Sequence, residues 1–382
     1  MPVLHALADF LGALRWYVIP FLVMMNGIVF IHELGHYLVG RWCGVKVEAF
    51  SLGFGPELLH YIDNHGTRWR LALFPVGGYV KFLGDANAAS GQDEEALAAV
   101  DPADKGRTLA AQPVWERAAI VAAGPAANFI LAMVLFTGLF YAFGQSSHNA
   151  RIGVVEPGSP AETAGFKPGD LVTAIDGHKI KSFQDLQEAA VLSTGIEMTF
   201  SVDRVGQPLT LRAAPQLMQV DQGTLGKRRI GHLGLGSTRD PADVSFERCG
   251  VVQCVGWAGD EVGFITKATL SYIGGLFAGR ESVDQMSSAI GMSQITGAVA
   301  KVNGWELFNL AALFSVSVGL MNLFPIPLLD GGHLMFYLVE VIIRRPVSER
   351  VQQMGMRVGI ALVGSLMIFT TAHDLLRLFV RS

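Results

Sequence analysis

Apolar residues gather along this chain in four long runs, near 16–40, 114–143, 304–328 and 355–379, separated by stretches in which polar residues return every few positions. A helix needs about 20 apolar residues to cross a hydrocarbon layer of roughly 30 Å, and each run reaches that length. The pattern predicts a polytopic α-helical membrane protein with about four transmembrane helices. The run from Trp16 to Gly40 is too long for a secretory leader and lacks a small-residue cleavage site, so it reads as a retained span. Two runs carry groups that are costly at such depth: His32, Glu33 and His36 in the first, Asn322 and Asp330 at the end of the third.

Between the first two runs, Val45 to Phe54 and Trp69 to Phe82 are rich in β-branched and aromatic residues, with Asp63-Asn64-His65-Gly66 as a turn signal between them. A membrane-associated β-hairpin is expected over 42–84. Its arm from Leu71 to Val80 is so apolar that it is expected to dip into the membrane, where non-helical backbone must be covered by protein or line a wet cavity. Residues 85–112, with Asp93, Glu94 and Glu95 together, read as a solvated polar loop. Over 150–216, short strands and turns alternate with one helix near Phe183 to Leu192, predicting an inserted β-rich α+β module. In the linker 217–303, Val262 to Phe277 is open to two readings, an amphipathic helix on the membrane surface or a polar connector. The spans then fall in 1–41, 113–145 and 304–333, with a cytoplasmic loop and the last span in 334–382.

Composition agrees with the periodicity. The chain is 51% hydrophobic and only 16% charged, with a mean hydropathy of +0.38. A net charge of -4 leaves no broad basic surface, which sets nucleic acid aside as a partner. Arg344, Arg345, Arg350 and Arg357 crowd the connection between the last two runs and place it in the cytoplasm; Arg41, Lys46, Arg68, Arg70 and Lys81 put the loop after the first span on the same side. Both termini and the module then face outward. Three cysteines are too few for a disulfide scaffold, although Cys249 and Cys254 could pair in an exported segment.

The most specific local signal is His32-Glu33-Leu34-Gly35-His36. On a helix, residues four apart share a face, so both imidazoles can reach one zinc ion while Glu33 takes a proton from bound water. Catalytic zinc keeps three protein ligands and one open position. Asp330 is the favoured third ligand because Pro325 and Pro327 break the third run beside it and re-aim side chains there. His333 and Glu340 are the rivals, the first expected to pack nearby and the second to face the cytoplasmic boundary. Asn322 carries an amide that could donate to a developing oxyanion, position a substrate backbone, or simply pack.

With these residues in view, the chain resembles the site-2 protease family, and within it the RseP-type bacterial intramembrane proteases. The resemblance runs from the first span to the end, through the zinc motif, Gly124-Pro125-Ala126-Ala127-Asn128 on span two, a PDZ-like module with Gly158-Ser159-Pro160-Ala161 and Lys167-Pro168-Gly169-Asp170, and the segment from Asn322 to Gly332. It implies zinc ligands at His32, His36 and Asp330, catalytic Glu33, a supporting polar role for Asn322, and single-span membrane proteins as substrates. These would include membrane-anchored anti-sigma factors and leftover signal peptides. It also implies residence in the bacterial inner membrane, with the active site toward the cytoplasm and the PDZ domain in the periplasm, where it would bind a peptide tail or exclude bulky proteins. Two departures stand out: Ser288-Ala289-Ile290 replaces the Gly-Pro-Ile common in relatives, and one PDZ-like module replaces two. Two rival functions are a catalytically inactive, membrane-embedded PDZ scaffold and a metal-dependent transporter; the absence of a visible inverted repeat weakens the transporter.

Overall fold

The computed structural model describes Gly12 and residues 14–85, 100–180, 182–221, 227–238, 243–279 and 288–381. It forms two compact units, Met1–Leu135 with Ser287–Ser382, and Phe136–Met286. Half of the polar loop expected over 85–112, residues 86–99, lies outside the described residues.

In the first unit, helix α1 (Ile19–Trp42) starts with Pro20 in its first turn, where a missing N–H costs nothing, and stops before Gly44, which turns the chain at φ +80°. Helix α2 (Val114–Phe143) follows the sheet. Trp42 and Trp115, at the end of α1 and the start of α2, are exposed, as are Trp16 and Trp305. Trp16 and Trp42 are about 39 Å apart at 1.5 Å per residue, the span of a bilayer with its interfacial aromatic belts. Among the described residues, three helices are long and apolar enough to cross a membrane, Leu14–Trp42, Val114–Phe143 and Arg350–Leu376.

The third run departs from the expectation of a span over 304–333. Helix α7 (Glu306–Asn322) has 17 residues, about 25 Å, and the chain restarts as α8 (Asp330–Ile343), which begins within the expected span and runs on into the segment expected as a loop. Pro325 and Pro327 lack the N–H that a continuing helix needs. Short turns take over: Ile326 N–H donates to Phe324 O at 2.7 Å and Leu329 N–H to Ile326 O at 2.9 Å. Helix α9 (Glu349–Arg381) closes the chain, and α6 (Ala289–Val302) packs against α1, α7 and α9.

The expected hairpin is present but longer and folded on itself. Strands β1 (Val47–Ile62) and β2 (Arg68–Phe82) pair antiparallel with repeated register shifts. Phe50 lies opposite both Val80 and Trp69, and Leu52 opposite both Gly78 and Leu71. The first part of β1 is therefore central, with residues 78–82 along one side and 68–71 along the other, while Glu57 to Ile62 pair back onto Ala72 to Arg68. Asp63 builds the turn, accepting the backbone N–H of His65 at 2.8 Å and of Thr67 at 2.9 Å. It also accepts Tyr37 Oη–H and Trp69 Nε1–H, each at 3.1 Å. Burial pushes its carboxyl up, but these donors outweigh that and hold it down to about 2. Tyr37, Val45, Val47, Phe50, Val80, Phe82 and Ile120 form the core between sheet and helices.

The second unit is larger than the module expected over 150–216. Its four-stranded sheet runs β6 (His178–Lys179), β5 (Leu171–Ile175), β7 (Met198–Arg204), β8 (Gln207–Ala213). Strand β4 (Ile152–Val155) pairs with β11 (Leu235–Ser237), so Leu233 and Leu235 join one core with Ile152, Phe166, Leu186 and Phe200. The helix expected near Phe183–Leu192, α4, is found there, opened by a capping box between Ser182 and Asp185. Helix α5 (Val251–Phe277) begins earlier than the pattern places it, and Cys249 and Cys254 are joined by a disulfide at its start.

Candidate metal centre

His32 and His36 lie one turn apart on α1, both buried. The small residues around them exist to let backbone approach: a Cβ on Gly124 of α2 would run into His36 Nε2 and His32 Nε2, and one on Gly35 would overlap the carbonyl of Ala123. Asp330 arrives from the opposite side as the first residue of α8, where an anion is favoured by the helix dipole. Gly331 and Gly332 follow it because the loop folds back on this first turn; a Cβ on either would meet the backbone of Leu323 to Pro327.

The three side chains converge on one point. His32 Nε2 is 3.0 Å and His36 Nε2 3.5 Å from Asp330 Oδ2, and the two Nε2 atoms are 3.2 Å apart. His36 Nδ1 is 2.8 Å from the carbonyl of Ile120. A carbonyl only accepts, so the His36 proton sits on Nδ1 and Nε2 presents a lone pair. Asp330 Oδ2 is buried, and apart from these two imidazole nitrogens no partner faces it among the described residues. Lone pairs crowded this closely repel unless a cation lies between them. Donors around one tetrahedral zinc at about 2.0–2.1 Å stand roughly 3.3 Å apart, the spacing seen here. The residues fit a metal ion, and they form the one His/Cys/Asp/Glu group among the described residues whose ligand atoms cluster so.

Of the remaining expected site residues, Glu33 and Asn322 line the same cavity, together with Gly78, Tyr79, His333 and Tyr337. A Cβ on Gly78 would lie 3.4 Å from Glu33 Cγ, so the sheet edge at 78–82 passes directly beside the carboxylate. Asn322 Nδ2 donates to Val318 O at 3.0 Å, which leaves its second N–H for the cavity. His333 does not reach the cluster. Glu340 is excluded by its own partner, since Arg117 donates to it twice, at 2.6 and 3.2 Å.

The family model for peptidase family M50 matches residues 20–366. The chain belongs to this family. It is 42% identical over 364 residues to a candidate zinc metalloprotease of Rhizobium meliloti, covering 95% of this chain and 97% of the relative. A candidate zinc metalloprotease of Agrobacterium fabrum is 40% identical with the same coverage. Metalloprotease MmpA of Caulobacter vibrioides is 39% identical, over 94% of this chain and 95% of its own length. An M50 chain is a peptidase, so the converging donors and Glu33 sit where hydrolysis of a peptide bond can be organised.

Three contacts of this peptidase site escape the sequence pattern. The Ile120 carbonyl orients His36 although no side chain marks it. Asn128 reaches His32 Nδ1 at 3.1 Å; its spacing of four from Gly124 puts both on one face of α2 and is the signal for it. Arg117 stacks over Tyr337 with Cζ 4.9 Å from the ring centre while gripping Glu340, and nothing local in either segment foretells that pairing.

Proposed function

We propose that this peptidase is an intramembrane zinc metalloprotease of the site-2 type, cutting peptide bonds within transmembrane segments of other membrane proteins. The observation that carries the reading is the convergence of His32, His36 and Asp330 within helices whose outer surfaces are apolar.

His32, His36 and Asp330 would hold the metal, and all three line the cavity. A zinc ion held there would supply Lewis acidity, lowering the pKa of a water and polarising a carbonyl. Glu33 takes the proton of the attacking water and returns it to the leaving amine, so the carboxylate is regenerated. Asn322 turns its free N–H toward the carbonyl oxygen or toward the substrate backbone; both uses fit its place in the cavity.

A substrate helix hides its peptide groups in its own hydrogen bonds and must unwind to be cut, which in lipid leaves those groups unpaired. Among the described residues the edge at 78–82 pairs with β1 on one side only, and it passes Glu33, so it offers backbone partners to an unwound segment by β-augmentation. The exposed Leu58, Leu59, Tyr61, Ile62, Leu73 and Phe74 support contact of this sheet with lipid. The reading keeps four crossings, the third made by the short α7 and the loop after it. It places the protein in the bacterial inner membrane with the catalytic site toward the cytoplasm. The unit at 136–286 is PDZ-like and periplasmic, taking a peptide tail or filtering by size. The Cys249–Cys254 disulfide fits that oxidising side.

The test is zinc content and cleavage of a single-span model protein by the purified full chain in detergent, with and without a chelator. One zinc per chain, activity lost on chelation and restored by zinc, and an inert Glu33→Gln are expected. An equally active Glu33→Gln overturns the mechanism, and an inert wild type with no zinc favours the scaffold.

A further inference from the structure

Asn128 is fully buried, 0% exposed, in the middle of α2. Its Nδ2 stands 3.1 Å from His32 Nδ1, and its Oδ1 is buried without a hydrogen-bond partner among the described residues. Its position is fixed from outside: Ser315 Oγ donates to the Asn128 carbonyl at 2.8 Å, and a Cβ on Gly319 would lie 3.2 Å from Asn128 Cβ. A residue that only filled this space would need no amide, and a buried amide oxygen without a donor is expensive.

The two ends of the amide have the same shape and opposite polarity. With Nδ2 donating to His32 Nδ1, the ring proton has to sit on Nε2, the atom that faces His36 Nε2 and Asp330 Oδ2. The lone pair that a metal needs is then gone. With Oδ1 turned to the ring, Nδ1 keeps the proton, Nε2 is bare, and the orphaned oxygen gains its donor. The Ile120 carbonyl already does this for His36. We propose that Asn128 is a positioning residue that accepts the Nδ1–H of His32 through Oδ1 and so presents Nε2 to the metal. Gly124 and Asn128, one turn apart on α2, divide the work: the glycine leaves room for the two imidazoles and the amide aims one of them. This rests on the reading of His32 as a zinc ligand.

The experiment measures zinc affinity of the full chain in detergent by competition with a chromophoric chelator, for wild type, Asn128→Leu, Asn128→Asp and His32→Ala. Leucine keeps the volume but can neither accept nor donate; aspartate can only accept. Binding by Asn128→Leu is expected to weaken about ten- to a hundredfold, as for other groups that orient metal ligands, while Asn128→Asp binds at least as tightly as wild type. In the cobalt-loaded protein, the exchangeable Nδ1–H proton resonance of His32 is expected to be protected from solvent exchange in wild type and Asn128→Asp and to exchange rapidly in Asn128→Leu. Unchanged affinity and unchanged exchange in Asn128→Leu overturn the proposal. Should that variant not fold, a tenfold loss of affinity in Asn128→Asp overturns it instead, because the amide would then be needed as a donor. A wild type that binds zinc no better than His32→Ala defeats the underlying ligand reading, a separate outcome.

Discussion

Gly359 of α9 lies directly against the carbonyl of Pro327, so closely that a β-carbon cannot be added without moving the loop. Three residues later the loop ends and α8 begins with Asp330, 3.0 Å from His32 Nε2. Helix α9 thus forms the floor on which the third side of the candidate metal centre rests. Gly359→Ala is expected to shift Asp330 and reduce peptidase activity about a hundredfold, the effect of a displacement near 1 Å at a reacting centre. Gly364→Ala, on the same helix with open space around it, is the control and is expected to behave as wild type in the same assay.

Gly124 makes a sharper demand, because a β-carbon there would enter the space shared by the two Nε2 atoms. Gly124→Ala is expected to yield a folded protein, destabilised by about 1–3 kcal/mol through overpacking, that carries little zinc. Metal analysis of the purified variant beside its thermal unfolding curve checks both halves. Full zinc loading would show that the imidazoles do not meet at this glycine.

Arg117 and Glu340 form a two-pronged pair whose side chains are 10% and 13% exposed, with the guanidinium over Tyr337. It ties the start of α2 to α8, the helix that begins with Asp330. Removing one partner leaves the other charge stranded, so Arg117→Leu or Glu340→Leu is expected to cost about 3–5 kcal/mol. The double variant Arg117→Leu/Glu340→Leu is expected to recover much of that loss. A double-mutant cycle on unfolding in detergent decides; additive effects would mean that the pair does not couple the helices.

Asp63 gives the fold a dependence on acid. Its carboxyl is lowered to about 2 in the folded protein, against about 3.9 unfolded. A depressed carboxyl contributes stability that is full above the unfolded value and is lost as pH falls through the folded one. Amide protection at His65 and Thr67, read by hydrogen exchange, is expected to hold from neutral pH to about 4 and to decline toward 2. Asp63→Ala is expected to lack it at every pH, and equal protection in that variant would assign the turn to other contacts.

What the amino-acid pattern reveals is local. The spacing of His32 and His36 is a property of one helical turn, and the helix from Phe183 is announced by Ser182 and Asp185 at its start. The prolines at 325 and 327 mark a break, but not that α7 would stop at 17 residues or that a new helix would start at Asp330. The doubled pairing of Phe50 and Leu52 depends on where the chain bends back near Phe54, and period-two alternation is blind to register. The pairing of Leu235 with Val155 and the grip of Arg117 on Glu340 join residues far apart in sequence, where no periodicity reaches. Asn128 falls between these cases: the motif around it is legible, but the role of its amide needs the position of the His32 ring.

On the proposed reading, Glu33 and a metal held by His32, His36 and Asp330 cut peptide bonds at membrane depth. Mass-spectrometric mapping of the products from a single-span model protein, incubated with the purified chain in detergent, tests this most directly. One or a few cuts inside the apolar span are expected, with none from Glu33→Gln and none after chelation. Cuts confined to the polar flanks, or the same cuts with Glu33→Gln, would contradict it.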